Sequence, residues 1–360
     1  MTKVIGIDAS RAFAKERTGI EEYSFQVLKK LTSELEDAEV FLYTRNNEGP
    51  SFDLPKNWKI KKIKWPFFWT QLGLSLEMFF HPVDVLFVPS HVVPIIHPKN
   101  TIATIHGLEY EFFPEGYSFW DRIYMRLSIK ASCRWAKKIV AVSENTKKDL
   151  IDLYKVPEDK IMVIYEGYNN FQFILPQRDP AEVVANSKSY LLFVGRLEAR
   201  KNVIGIVKAF EILKEKYKIS HQLILAGKFG HGADVIRGFT LSNKDIVELG
   251  FVSEEKKQEL LKGADVFLFP SFYEGFGLPI LEAQRSGVPV VTSNVSSMPE
   301  IAGDGALLAN PNSPEEIAKA VFCLISDKIL RDDIIKKGQE NTKRFSWEEC
   351  SVKIAKIIAQ

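Results

Sequence analysis

Val266-Phe-Leu-Phe-Pro-Ser-Phe-Tyr-Glu-Gly-Phe-Gly-Leu-Pro-Ile-Leu-Glu282 holds a strand, a loop and a helix start in one short run. Four bulky apolar residues make Val266–Phe269 a strand buried on both faces. Pro270 ends it. Gly275 and Gly277 then allow a turn that leaves backbone N–H groups exposed. Pro279 falls in the first turn of the next helix, where its missing N–H costs nothing. A strand that runs through a loop into a helix is the repeating unit of a parallel, helix-covered sheet. The free N–H groups at that helix start form a site for an anion.

Outward from this stretch the pattern repeats. Tyr190–Val194, Gln222–Ala226, Val247–Leu249 and Val288–Thr292 read as strands, alternating with helices at Val203–Glu215, Glu254–Lys262 and Leu278–Ser286. The N-terminal half offers Val4–Ile7, Val40–Tyr43, Val85–Val88, Thr101–Ile105, Ile139–Val142 and Met162–Ile164 as buried strands. Its clearest helices are Glu21–Leu35 and Asp121–Lys137, with apolar residues three and four apart. Asn170–Ser189, rich in Pro, Gln, Asn and Ser, reads as a linker. The expected fold is α/β: two doubly wound Rossmann-like domains, residues 1–180 and 181–345, facing a deep cleft of the kind in which such folds bind ligands. A last helix, Ser346–Ala359, has an N-cap at Ser346 with Glu349 three residues on, and no strand after it to cover. It is expected to pack back on the first domain.

Composition agrees with this picture and narrows the function. A chain of 360 residues suits two domains, and 46% hydrophobic with 26% charged residues is globular. With 48 basic and 46 acidic residues, no basic field calls for nucleic acid. Cys133, Cys323 and Cys350 lack metal-type spacing, and a sparse odd set fits a reducing compartment. Met1-Thr-Lys3 leads straight into a strand, and no apolar run approaches the ~20 residues of a membrane span. The expected location is cytoplasmic.

The residues with chemistry lie at strand ends. In Phe193-Val-Gly-Arg-Leu-Glu-Ala-Arg-Lys201, Gly195 admits a ligand close to the backbone, and Arg196 and Lys201 offer cations to a phosphate. A solvated surface cluster of Arg196, Arg200 and Lys201 would explain the same letters. Glu274 precedes the glycines and is placed to accept from sugar hydroxyls. Glu282, about a turn into the helix, is placed to accept from a ribose, or else is a surface glutamate favoured by the helix dipole.

Gly-Arg-x4-Lys201, Leu-Ala-Gly227, Leu-Gly-Phe-Val-Ser253, Ala-Asp-Val-Phe-Leu-Phe-Pro-Ser271, Tyr-Glu-Gly-Phe-Gly-Leu-Pro279 and Pro-Val-Val-Thr-Ser-Asn294 follow in order. Together with Arg-Thr-Gly-Ile-Glu-Glu-Tyr23, Trp-Thr-Gln71, Thr-Ile-His106 and Val-Ser-Glu-Asn-Thr146, they resemble the retaining glycosyltransferases of family 4 (GT4), of GT-B fold. The nearest subgroup is the mannosyltransferases that build bacterial surface polysaccharides. The resemblance implies a hexosyltransferase acting on a nucleotide-diphospho-sugar, GDP-mannose ahead of UDP-sugars, with a glycan or lipid-linked saccharide as acceptor. It implies that Arg196 and Lys201 neutralise the diphosphate and Glu282 holds the ribose. Glu274, Gly275, Phe276, Gly277 and Leu278 would grip the sugar and β-phosphate, and Phe251 and Val252 would receive the base. Gly19 would let the first domain approach the diphosphate, and His106 would face the transferred sugar, although read from the residues alone a lone histidine at the end of an apolar strand is a packed core residue. Two departures stand out. Gly107 follows His106 where many relatives have Asp, and Glu21-Glu22 bring carboxylates that should point away from an anion.

No Asp-x-Asp ends a strand, and no histidine pair suggests a metal, so metal independence and no cofactor are expected. The glycine-rich Gly227–Gly232 lacks a P-loop ending, and no Gly-x-Gly-x-x-Gly follows the first strand. Lys59–Lys64 followed by Trp65-Pro-Phe-Phe-Trp69 reads either as a patch for a membrane surface or as a strand with exposed lysines, followed by a helix whose aromatics enter the domain core. Two other functions fit the same fold. One is a nucleotide-sugar 2-epimerase; the other is a non-catalytic sugar-nucleotide-binding subunit of a polysaccharide assembly.

Overall fold

The computed structural model describes residues 3–14, 17, 19–45, 49–168, 189–240 and 243–360. The linker expected at Asn170–Ser189 lies outside these, apart from Ser189. Two compact units emerge, Met1–Gly167 with Phe345–Gln360, and Tyr168–Arg344.

In the first unit the strands are β1 (Val4–Asp8), β2 (Glu39–Thr44), β3 (Trp58–Lys62), β4 (Val85–Val88), β5 (Asn100–Ile105), β6 (Lys138–Ala141) and β7 (Ile161–Val163). They form one parallel sheet in the order β3-β2-β1-β4-β5-β6-β7. Its helices are α1 (Gly19–Glu34), α2 (Ser75–Phe80), α3 (Glu109–Phe112), α4 (Phe119–Trp135) and α5 (Glu144–Tyr154), joined by the C-terminal helix Trp347–Ala359. Side-chain alternation along the strands feeds two cores. Ile5, Ile7, Val85 and Phe87 meet α1 and the C-terminal helix, whereas Leu86, Val88, Ala103 and Ile105 meet α4 and α5. β3 closes one edge, and its exposed Lys59 and Lys62 discourage further strand pairing.

The second unit holds β8 (Tyr190–Val194), β9 (Gln222–Ala226), β10 (Ile246–Gly250), β11 (Val266–Phe269), β12 (Val290–Ser293) and β13 (Ala306–Ala309). Their parallel order is β10-β9-β8-β11-β12-β13. The connecting helices are α6 (Val203–Glu215), α7 (Ala233–Thr240), α8 (Glu254–Gly263), α9 (Leu278–Arg285), α10 (Met298–Ala302), α11 (Pro314–Ser326) and α12 (Lys328–Asn341). The expected pair of doubly wound α/β units is present, with element ends within two residues of the sequence reading. In this order the chain winds one way from β8 and the other way from β11. Between these neighbours lies the switch point where such sheets bind ligands.

Local chemistry sets the helix starts. Ser118, Ser143, Ser253, Ser313 and Ser346 each accept an N–H from three residues on, as does Asp327. The aromatics after β3 divide in a way that neither sequence reading anticipated. Trp69 enters the core and donates its indole N–H to the Ile63 carbonyl at 2.9 Å, while Trp65, Phe67 and Phe68 stay exposed. Among the described residues no helix is long and apolar enough to cross a membrane.

Candidate functional site

The exits of β8 and β11 are tied together by backbone. Gly227, at φ +150°, passes so close to β8 that a Cβ there would stand 1.8 Å from the Gly195 carbonyl oxygen. Beyond Gly195 the chain makes a tight turn, Ala199–Lys201, which ends at Asn202 in the left-handed region (φ 58°). The buried Asn202 amide donates to the carbonyls of Pro270 (3.1 Å) and Pro311 (2.7 Å), and the Phe272 N–H donates to the Arg200 carbonyl at 3.0 Å. Residues about seventy apart in sequence therefore share one loop cluster.

At its centre is Glu274, 8% exposed, whose two oxygens are held by different cations. Lys201 Nζ lies 2.5 Å from Oε1, and Arg200 Nη1 lies 2.9 Å from Oε2. Burial pushes the Glu274 carboxyl up, but Arg200 and Lys201 outweigh it and hold it below the usual carboxylate range. Burial pulls the Lys201 ammonium down, and Glu274 restores only part of that. Lys201 also stands 4.8 Å above the Phe269 ring. Arg200 spans to Glu198 at 2.8 Å and to the Tyr273 carbonyl at 2.8 Å. Arg196 differs from both: its side chain is 69% exposed, 3.9 Å from Glu198. The surface-cluster alternative thus fits Arg196 and fails for Lys201.

The Gly275-Phe276-Gly277 loop is pinned from the β12–α10 connection. Ser297 Oγ donates to the carbonyls of Glu274 (2.9 Å) and Phe276 (2.6 Å), and Ser296 Oγ donates to that of Glu274 at 2.8 Å. Phe276 is buried, which orients the loop. Gly277, at φ +118°, opens α9, so the N–H groups of Leu278 and its neighbours form the helix start. Glu282 on α9 meets Lys257 of α8 at 2.7 Å, and Lys257 also meets Glu254 at 2.9 Å. Burial works against the Lys257 charge, yet Glu282 and Glu254 prevail and hold its proton more tightly than usual. At the β10 exit Gly250 takes φ +65°, Phe251 is exposed under Lys228 (4.8 Å to the ring), and Val252 packs on the core.

In the first unit, His106 ends β5 with both ring nitrogens engaged. Nδ1 lies 3.1 Å from Glu166 Oε1, and Nε2 lies 2.9 Å from the Pro89 carbonyl. Its backbone N–H donates to His91 Nε2 at 2.9 Å, and the Tyr23 ring packs edge-on at 4.5 Å. Burial first, then the neighbouring His106 and Arg11, push His91 down to about 3, so it is the neutral acceptor of this set. Gly107 lies at φ +144°, a conformation that strains an aspartate, which gives a backbone reason for its departure from the family pattern. Gly19 opens α1 with no described neighbour within 4 Å of a Cβ position. Glu21 pairs with Arg11 at 2.9 Å and Glu22 with Arg17 at 3.0 Å.

Arg200, Lys257, Ser296, Ser297 and Glu166 belong to these clusters and were not singled out from sequence as site residues. Arg200 stood beside Lys201 in the motif and was read only as part of a surface group. The serines and Lys257 carried no signal, because only the folded loops bring them to Glu274 and Glu282.

Known proteins show the same organisation. Residues 177–341 match the family model described as "Glycosyl transferases group 1", and residues 18–170 match "Glycosyltransferase Family 4". O-antigen chain mannosyltransferase B of Escherichia coli is 35% identical over 266 residues, 70% of this chain and 68% of that protein. O-antigen chain mannosyltransferase RfbU of Salmonella typhimurium is 26% identical over 268 residues, 74% of this chain and 72% of that protein. Among solved structures, Anabaena HepE in complex with UDP and glucose superposes with a TM-score of 0.75 at 17% identity, covering 100% of both chains, a likeness of fold alone. Two family models on consecutive halves, and a relative sharing a third of its aligned residues, place this chain in glycosyltransferase family 4, as a glycosyltransferase of GT-B fold.

Proposed function

We propose that the protein transfers a hexose, with retention of configuration and without a metal ion, from a nucleotide-diphospho-sugar to a hydroxyl of a glycan or lipid-linked saccharide. Mannose is the favoured sugar because the two relatives described above are named mannosyltransferases. GDP-mannose is the favoured donor, and UDP-sugars come next. The observation that carries this reading is the pairing of Glu274 with Lys201 and Arg200 beside the α9 N-terminus, at the switch point of the second sheet. It offers cations and amides to a diphosphate, and a carboxylate to sugar hydroxyls, in adjacent positions.

As the bond from the anomeric carbon to the β-phosphate oxygen lengthens, positive charge grows on the sugar and negative charge on the departing diphosphate. The acceptor hydroxyl then bonds to that carbon from the same face and gives its proton to the leaving phosphate. Arg196, Lys201 and the N–H groups of Gly277 and Leu278 stabilise that anion in place of a divalent ion, and one such donor is worth about 3–4 kcal/mol. His106 faces the sugar, and Glu282 holds the ribose, exchanging its Lys257 contact for hydroxyls. The acceptor is met at the cytoplasmic membrane face.

A thermal-shift screen with GDP-, UDP-, ADP- and dTDP-sugars, followed by incubation with the labelled binder, tests the reading. Transfer to an acceptor, or slow hydrolysis of the donor, supports it. A 2-epimerised product, or binding with no turnover, overturns it.

A further inference from the structure

Two helical segments of the first unit bury one apolar face and expose another. In Trp69–Phe80, Trp69, Leu74 and Met78 face inwards, while Leu72, Leu76 and Phe79 form an exposed stripe at helical spacing. In α4, Ile129 and Cys133 are buried, while Trp120, Tyr124 and Leu127 repeat that spacing on the outside. The Phe68 and Tyr124 rings, 6.1 Å apart, join the two stripes into one surface. Its tips stand well clear of the fold: Phe67 is 74% exposed and Trp120 is 76% exposed. Isolated exposed apolar residues need no explanation, but a contiguous aromatic surface marks an interaction site.

Basic residues outnumber carboxylates on these segments, although Glu39 and Glu111 from neighbouring elements pair with Lys59 and Arg126. Trp58–Phe80 and Phe119–Trp135 together contain eight Lys or Arg and only two carboxylates, Glu77 and Asp121. Glu77 is held by Lys61 at 2.6 Å, and Asp121 accepts from Ser118 Oγ at 2.6 Å. Lys62, Lys64 and Lys130 face no carboxylate partner among the described residues, whereas Arg126 is taken by Glu111 and Arg122 also acts on that carboxylate.

We propose that this face docks on an anionic lipid bilayer, with Phe67, Phe68, Phe119 and Trp120 entering the boundary between headgroups and acyl chains. Aromatics that protrude from convex helices suit a fluid surface, which needs no matching pocket. Unpaired lysines at their base suit anionic headgroups. A second copy of the same face would bring positive charge against positive charge. The proposal gives a place to the membrane contact named above and uses no step of the transfer reaction.

The test is co-sedimentation of the full chain with vesicles of phosphatidylglycerol and phosphatidylcholine, against vesicles of phosphatidylcholine alone. Binding to the anionic vesicles that weakens with salt is expected. Phe67→Ser with Phe68→Ser should lower partitioning about tenfold or more. Lys62→Gln with Lys64→Gln should lower it about tenfold at low salt. The thermal shift produced by the nucleotide-sugar should be the same in all variants, which reports folding and keeps this result separate from the donor assignment. Absence of vesicle binding, equal binding to both vesicle types, or variants that bind like the parent overturn the proposal. So does a dimer in sedimentation velocity that the serine variant dissolves, since a second copy would then be the occupant.

Discussion

Glu274 shares its two oxygens between Lys201 and Arg200, and removing its charge leaves two partly buried cations without their shared counter-charge. Glu274→Gln should therefore destabilise the chain by about 3–5 kcal/mol in urea unfolding, the cost of breaking a buried pair from one side. Inorganic pyrophosphate should stabilise this variant more than the parent, because it replaces the lost charge. The carboxyl is held below its ordinary value of 4.5, so its contribution is present above that pH and is lost as pH falls through the lower folded value. Parent and variant should accordingly converge in stability towards acid pH. His91 works in a different window. Its folded value of about 3 lies below the 6.5 of the unfolded chain, so between these limits only the unfolded state takes up the proton. Stability is then lost as pH falls from 6.5 towards 3, by up to about 1.4 kcal/mol per pH unit. His91→Gln keeps an acceptor for the His106 N–H and cannot titrate, so urea midpoints measured at pH 7 and pH 5 should move closer together than in the parent. An unchanged acid slope would remove His91 from this account. Charged residues inside a motif were legible in the sequence as letters; which of them is buried was not. Arg196 and Lys201 look equivalent in Gly-Arg-x4-Lys201, yet one is exposed and the other sits over Phe269.

The loop between β11 and α9 depends on a neighbour that is distant in sequence. Ser297 donates to the carbonyls of both Glu274 and Phe276, holding the backbone that frames the α9 N-terminus. Ser297→Ala removes a buried donor from the Phe276 carbonyl, while Ser296 still serves that of Glu274, and should cost about 1–3 kcal/mol of stability. If the loop grips the donor, its dissociation constant should rise while vesicle binding stays unchanged. Calorimetric titration with the nucleotide-sugar measures the first and sedimentation the second. Full donor affinity in this variant would show that the amides are positioned by other contacts. At this scale the sequence was readable wherever local rules decide the outcome. Val266–Phe269 is apolar at every position, Pro279 and Gly277 mark a helix start, and Ser346 with Glu349 marks another. It was silent where partner elements decide. Trp65, Phe67, Phe68 and Trp69 share one run of aromatics, and only the packing of Trp69 against Ile63 separates the core residue from the exposed ones.

The two units use the chain differently, since the second is a single stretch while the first is completed only by Phe345–Gln360. An amphipathic pattern says that Ile354, Ile357 and Ile358 must be buried, but not against what; the buried face of α1, with Val27, Leu28 and Leu31, supplies the answer. Contact reaches further. Trp347 stands 5.9 Å from Tyr23, and Tyr23 packs at 4.5 Å on His106, so the last helix supports the ring that ends β5. Gly167 is part of the same junction, because a Cβ there would lie 2.3 Å from the Trp347 nitrogen. Burying Trp347, Cys350, Ile354, Ile357 and Ile358 contributes on the order of 10 kcal/mol in apolar transfer, comparable with the whole stability of a domain. Deleting Phe345–Gln360 should thus unfold the first unit and leave the second folded. Hydrogen exchange reads the two separately. Amides of β1, β4 and β5 should lose protection, while those of β8, β9 and β11 keep it and still gain protection with a nucleotide-sugar. A milder change, Ile354→Ala with Ile358→Ala, should weaken β1 and β4 without abolishing them, and should lower turnover more than donor affinity if His106 acts on the transferred sugar. Equal protection of β1 in truncated and full-length chains would show that α1 holds its place without the last helix.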